Sequence, residues 1–157
     1  MSDNRELSYR PAVDNAKDHR AVVDMLCELV DELSPDEDNA DVKKLFETDI
    51  RTALKSTTIH IVLALLGEEP IGLSRGDILT QDPIFRLRED NRCGYVDQMF
   101  VRKAYRDRGI GGYLMRLCED WFREQGLKHC ILHAAPKAVR FYARIGYQPN
   151  REMFKKL

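Results

Sequence analysis

The feature that most constrains this chain is the order in which its hydrophobic spacing changes period. Val22, Val23, Leu26, Cys27, Val30 and Leu33 recur at three- and four-residue steps. That is the stripe of an amphipathic helix beginning near Asp18. Ser34-Pro35-Asp36-Glu37 has the form of a capping box with proline in the first turn. A second helix is therefore expected from Ser34, carried by Val42, Leu45, Phe46, Ile50 and Leu54. The period then falls to two. Ile59, Ile61, Leu63 and Leu65 alternate along one strand, a turn follows at 67–70, and 71–78 returns as its hairpin partner. A short strand at 7–11 precedes the helices, and 95–101 adds another after the polar stretch 81–92, a loop expected to border a site. Ile110, Leu114, Leu117, Cys118, Trp121 and Phe122 form a third helical stripe that Gly126 stops. A strand at 127–133, a helix from Pro136 to about Ile145 and a strand at 147–154 complete the order. Strand, helix, strand near the end demands a parallel pair with a crossover, whereas the middle is an antiparallel meander. The expected fold is α+β, one domain over 1–157: a mixed, mostly antiparallel sheet of six or seven strands flanked by four helices.

Composition narrows what such a domain does. The 157 residues carry 25 Lys and Arg against 26 Asp and Glu, a net charge of −1. This balance speaks against a bulk nucleic-acid binder or a membrane-surface protein. The longest strongly apolar run, 61–66, is far shorter than the ~20 residues of a spanning helix. The opening residues 1–6 have no apolar stretch behind a basic start, so no secretory leader is expected. Cys27, Cys93, Cys118 and Cys130 are scattered without a CxxC clip, the pattern of reduced thiols in a cytoplasmic protein. His129 and His133 have the four-residue step of a helical zinc site, with Cys130 between them. They fall on an expected strand and no HExxH occurs, so no metal is expected.

The chemistry concentrates at 95–112. Arg106-Asp107-Arg108-Gly109-Ile110-Gly111-Gly112 joins a strand to a helix. Glycines let backbone approach a ligand, and a helix start offers unpaired N–H groups and partial positive charge. Together they cradle phosphate oxygens. Arg102, Lys103, Arg106 and Arg108 surround the single acid Asp107, which suits a small polyanion. Walker A is missing, since no Gly-Lys-Ser or Gly-Lys-Thr occurs, and GxGxxG fails at Leu114.

Arg106-x-x-Gly109-x-Gly111, following the strand that holds Val101, resembles the acetyl-CoA loop of the GNAT superfamily of N-acetyltransferases. Ala138-x-x-Phe141-Tyr142-Ala143-Arg144-Ile145-Gly146-Tyr147 is similar to that family's closing helix and strand. The element order agrees, including two helices after the first strand. The resemblance implies a sheet splayed between its fourth and fifth strands. It also implies main-chain N–H groups of Arg106, Asp107, Arg108, Gly109, Ile110, Gly111 and Gly112 around a pyrophosphate, and Met99, Phe100 and Val101 pairing with pantetheine amides. Tyr142 would be the general acid for the leaving thiolate, a role a tyrosine hydroxyl suits because it keeps its proton at neutral pH. Many members carry Asn seven residues before that tyrosine, where this chain has Ala135.

The implied reaction moves an acetyl group from acetyl-CoA to a primary amine of a small molecule or peptide. Something must take the amine's proton. Asp97, in an otherwise apolar and aromatic strand, is the expected general base. Asp31, Glu32, Asp36, Glu37, Asp38 and Asp41 form an acidic run that would attract a polyamine, aminoglycoside or lysine-like amine. The same acids equally suit a solvated helix start. A non-catalytic acyl-CoA-binding sensor or partner domain is the alternative. A homodimer would use an exposed sheet edge or the carboxy-terminal strand.

Overall fold

The computed structural model describes residues 4–80 and 91–150, together with Met153 and residues 155–157. The loop expected at 81–92 thus lies almost wholly outside the described residues, and so does part of the strand expected at 147–154. Strand β1 spans Leu7–Pro11, followed by helices α1, Ala16–Leu33, and α2, Ala40–Ala53. Strands β2, Ile59–Leu66, β3, Glu69–Thr80, and β4, Arg92–Val101, form the meander. Helix α3, Ile110–Glu124, strand β5, Cys130–Leu132, and helix α4, Val139–Arg144, follow.

The five strands lie in sequential order in one sheet. β1 to β4 are antiparallel neighbours, and β5 joins β4 in parallel after the α3 crossover. The α+β architecture agrees with the expectation, with five strands among the described residues instead of six or seven. Residues 147–150, expected to open the last strand, are irregular. The expected helix from Pro136 divides into a 3-10 turn, Pro136–Ala138, and the short α4. The second helix begins later than the capping box at Ser34 suggested. Ser34 instead terminates α1, its N–H donating to the Val30 carbonyl at 2.9 Å. Asp38 meets the start of α2, its carboxylate accepting from the Ala40 N–H at 3.0 Å.

Two apolar layers sandwich the sheet. On one face Val22, Val23, Met25 and Leu26 of α1 and Ile50 of α2 pack against Leu63, Leu73 and Phe100. On the other, Ile110, Leu114, Met115, Cys118 and Phe122 of α3 cover Val62, Ile71, Val96 and Val101. Two glycines let α3 sit this close. A Cβ at Gly94 would lie 2.6 Å from the Phe122 ring, and one at Gly76 2.7 Å from it, so only bare backbone admits that ring.

Two irregularities position the site. The β4–β5 ladder pairs Gly94 with Cys130, Tyr95 with Ile131 and Val96 with Leu132, then stops. From residue 97 onward the two chains part, as the splay predicted. In the β3–β4 ladder Arg75 pairs with Gln98 but Gly76 pairs with Val96, leaving Asp97 as the extra residue of a β-bulge.

Candidate active site

The splay opens a cleft of about 860 Å³ between the second half of β4, the loop into α3, and residues 132–145. Its lining includes Asp97, Met99, Val101, Gly111, His133 and Tyr142.

One wall is backbone. The Arg102 N–H donates to the Ile71 carbonyl at 2.9 Å, which turns the main-chain groups of Phe100 toward Leu73 in β3. By alternation Met99 and Val101 turn theirs toward the cleft. The expected trio of pairing residues therefore divides: Met99 and Val101 present amides, whereas Phe100 is a core side chain, 4% exposed. Past the strand the chain turns through Asp107 at φ 60° and Gly109 at φ 78° into α3. Aspartate tolerates the left-handed region and glycine takes it without strain. The Arg106 N–H is occupied by the Lys103 carbonyl at 3.4 Å. Among the described residues, the amides from Asp107 to Gly112 have no acceptor, as a helix start dictates. A Cβ at Gly109 or Gly112 would meet nothing within 4 Å, and one at Gly111 would touch Phe141 and Met99. The cradle is thus open and side-chain-free.

The basic residues of this turn are less available than their sequence suggests. Arg106 makes a bidentate pair with Glu32 of α1, both bonds 2.6 Å, and donates through Nε to the Val101 carbonyl at 2.8 Å. Arg102 pairs with Glu28, one turn earlier on α1. These arginines clamp the loop to α1, and the Arg106 pairing, ahead of desolvation, holds Glu32 below the usual carboxylate range. Two acids of the acidic run are likewise engaged: Asp31 binds Lys43 and Asn39, and Glu32 binds Arg106.

The other wall is side chains. Asp97 is the one exposed residue of β4, yet its side chain is only 31% exposed. The bulge aims it at Arg75, whose Nε lies 3.5 Å from Oδ2 of Asp97. Arg75 is buried and held by two other acids: Asp77 accepts at 2.8 and 2.9 Å, and Asp49 of α2 at 2.6 Å. Burial lowers its proton affinity, but the bonds and charges of Asp77 and Asp49 outweigh this and keep it cationic. For Asp97, burial raises the pKa and Arg75 only partly opposes it, while Asp77 and Asp49 add to the rise. One guanidinium among three carboxylates leaves this corner electronegative. Beside it, the Gln98 carbonyl oxygen is buried with no hydrogen-bond partner.

Tyr142, on α4, stacks edge-on with Phe141 and Tyr147 at 5.1 and 5.8 Å. Its hydroxyl bonds to no described residue. Burial raises its pKa, and the neighbouring Cys118 adds to this, so the phenol stays protonated. Sequence reasoning missed Gln98 and the pairing of His133 with Tyr95, whose hydroxyl lies 2.9 Å from His133 Nδ1. No cluster of three or more His, Cys, Asp or Glu suited to a metal occurs among the described residues.

A basic glycine turn at a helix start, an open strand edge at a splay and a half-buried tyrosine on the closing helix occur together here. The model of the acetyltransferase (GNAT) family matches residues 23–147. This chain belongs to the GNAT family. Among curated GNAT-like relatives, the uncharacterized N-acetyltransferase YjcF of Bacillus subtilis is 30% identical over 95 residues, 60% of this chain and 59% of that one. Glucosamine 6-phosphate N-acetyltransferase 1 of Oryza sativa subsp. japonica is 31% identical over 61 residues, 39% of this chain and 37% of that one. The matches therefore span less than two thirds of these relatives. Among solved structures, a GCN5-related N-acetyltransferase from Ralstonia eutropha JMP134 shares the fold with a TM-score of 0.85 at 24% identity, covering 97% of this chain and 99% of that one. A predicted acetyltransferase from Clostridium acetobutylicum, solved with acetyl-CoA, has a TM-score of 0.85 at 18% identity, covering 97% and 96%. No helix among the described residues of this GNAT chain is long and apolar enough to cross a membrane.

Proposed function

We propose that this GNAT protein transfers an acetyl group from acetyl-CoA to a primary amine of a small molecule or peptide. The observation that carries this reading is the open edge of β4 leading straight into an amide-lined helix start. A pantetheine arm takes the place of a strand beside Met99 and Val101, and the Asp107–Gly112 amides receive the pyrophosphate. The cleft is deep enough to bury the thioester, and no side chain occupies the cradle.

The amine attacks the thioester carbonyl directly. Asp97 accepts a proton from the attacking nitrogen, favoured in this by its raised proton affinity. Tyr142 donates its phenolic proton to the departing thiolate. The unpartnered Gln98 oxygen accepts an N–H of the incoming amine, and the acid-rich corner around Arg75 favours an acceptor that arrives as a cation.

Calorimetry with acetyl-CoA and with free CoA tests the cofactor half. A thiol-release screen tests the other half, with spermidine, kanamycin, glucosamine 6-phosphate and an alanine-ended peptide as acceptors. Micromolar binding together with amine-dependent thiol release supports the transferase. Binding without release from any amine would favour a sensor, and no binding would remove the reading.

A further inference from the structure

A protonated amine loses two protons in becoming an amide nitrogen. Written in full, R–NH3+ and acetyl-CoA give the amide, the free thiol and one H+. The thiolate consumes one proton, and the surplus one must reach solvent. The transfer proposed above accounts for the first: Asp97 receives it from nitrogen, and Tyr142 supplies its equivalent to sulfur. The second needs another acceptor at the cleft, one in contact with water.

Resting on that reading, we propose that His133 takes the surplus proton from the acceptor ammonium at Nε2 and passes it to solvent, with Tyr95 positioning the ring. Three observations place it there. Val96 and Leu132 are the last pair of the β4–β5 ladder, so Asp97 and His133 are the first residues on either side of the splay. Both line the cleft. The Tyr95 hydroxyl lies 2.9 Å from His133 Nδ1, with the rings edge-on at 5.5 Å. Tyr95 is outside the cleft lining, so it holds the imidazole from behind.

Chemistry supports the division. Asp97, 3.5 Å from the buried Arg75, is already committed to the proton lost as the C–N bond forms, so the proton that the ammonium loses first needs another acceptor. His133 is exposed, and an imidazole can accept a proton at one ring nitrogen while the other holds its hydrogen bond. Charged and titratable groups lining the same cleft include Asp97 on β4, Lys137 in the turn before α4, and Tyr142 and Arg144 on α4, with Glu32, Arg106 and Asp107 toward the loop into α3. Asp97 draws the ammonium in. In the order of events, His133 Nε2 takes the first proton from R–NH3+ and the freed amine attacks. The C–N bond forms, Asp97 takes the second proton, the C–S bond breaks and Tyr142 protonates sulfur. Asp97 then returns a proton to Tyr142 through solvent.

This role requires Nδ1 to carry the hydrogen donated to the Tyr95 oxygen, so that Nε2 offers its lone pair. Long-range 15N NMR of the wild-type protein reads the tautomer without any acceptor. A majority Nδ1–H form is expected, and a majority Nε2–H form would overturn the proposal. Kinetics supply the second test, using whichever amine of the panel turns over. His133→Gln should lower kcat/KM by about 100-fold. It should also change the acid side of the pH profile, and added imidazole should restore part of the rate. Tyr95→Phe should leave acetyl-CoA binding intact and shift the tautomer toward Nε2–H. A His133→Gln enzyme within about twofold of wild type, with the pH profile unchanged, would overturn His133 while leaving acetyl transfer standing. An absence of turnover from wild type with every amine would instead count against the transfer itself, and the tautomer would still decide the ring's geometry.

Discussion

The two walls of the cleft are built from different materials. The wall formed by Met99, Val101 and residues 107–112 is backbone, and what matters there is the absence of side chains. The facing wall, Asp97, Gln98, His133 and Tyr142, is made of side chains held by partners from several elements: Arg75 from β3, Asp49 from α2 and Tyr95 from β4. A backbone wall can recognise only what every member of a fold shares, a phosphate and an extended amide chain. A side-chain wall can be rewritten one residue at a time. On the function proposed above, the first wall would set the cofactor and the second the acceptor and the proton traffic.

Substitutions should separate the walls. Gly111→Asp should have the largest effect. Its Cβ would start 3.4 Å from Phe141 and 3.6 Å from Met99, and the new carboxylate would meet phosphate charge. Calorimetry should show acetyl-CoA affinity falling by about 100-fold or more, since like charges in a covered site repel strongly. Normal affinity would show that the backbone wall is not the cofactor's. Tyr142→Phe should be the converse: kcat down by about 100-fold at unchanged acetyl-CoA affinity. Asp97→Asn should lower kcat/KM by roughly tenfold to 100-fold. Because burial raises the Asp97 pKa, wild-type activity should fall with acid earlier than an ordinary carboxylate would dictate, as the base becomes protonated. Asp97→Asn should remove the Asp97 part of that limb and leave the part that depends on His133; a profile unchanged by Asp97→Asn would place the base elsewhere.

The last two predictions concern the frame that holds both walls. Gly94→Ala forces a methyl into the Phe122 ring at the foot of the splay, so thermal unfolding should register a loss of about 1–3 kcal/mol. His60 stacks on Trp121 with centroids 5.0 Å apart and is half-buried, and desolvation lowers its pKa despite the opposing charge of Glu124. Below the ordinary imidazole range the unfolded chain binds a proton that the folded one resists. Stability should therefore be complete above about pH 6.5 and decline as pH falls toward the lowered folded value. His60→Phe should flatten that decline while leaving both walls intact, a small effect readable in urea melts at two pH values.

Much of the backbone wall was legible in the sequence, because its requirements are local. Gly109 stands where the chain takes a left-handed turn, and a glycine pair at a helix start announces an open cradle. Tyr142 was marked only by the resemblance of 138–147 to the family's closing segment, and it lines the cleft. The side-chain wall was less so, for a physical reason: its partners meet across long stretches of chain. Arg106 reads as a phosphate ligand until Glu32, 74 residues earlier, is seen to hold it. Tyr95 and His133 are 38 residues apart. The bulge at Asp97 shows only as a slip of parity, with Val96 and Val101 on the same α3 face at an odd spacing, and a strand this short does not announce that slip. Ser34 misled for a related reason. Serine and proline after a helical stripe are compatible with starting a helix or with ending one, and the Val30 carbonyl decided for the ending.

The bulge carries one more consequence. Residue 97 has no partner in the β3 ladder, so it is a vacant seat in the weave of the sheet. Exchanging its occupant need not disturb the stitching of Gln98 and the residues beyond it, whereas deleting it would close the ladder into a regular one and remove the bulge that aims this side chain. A lineage could thus audition new acids, amides or hydroxyls at this single seat and so acquire new acceptors, while the strand that grips the cofactor stays in phase.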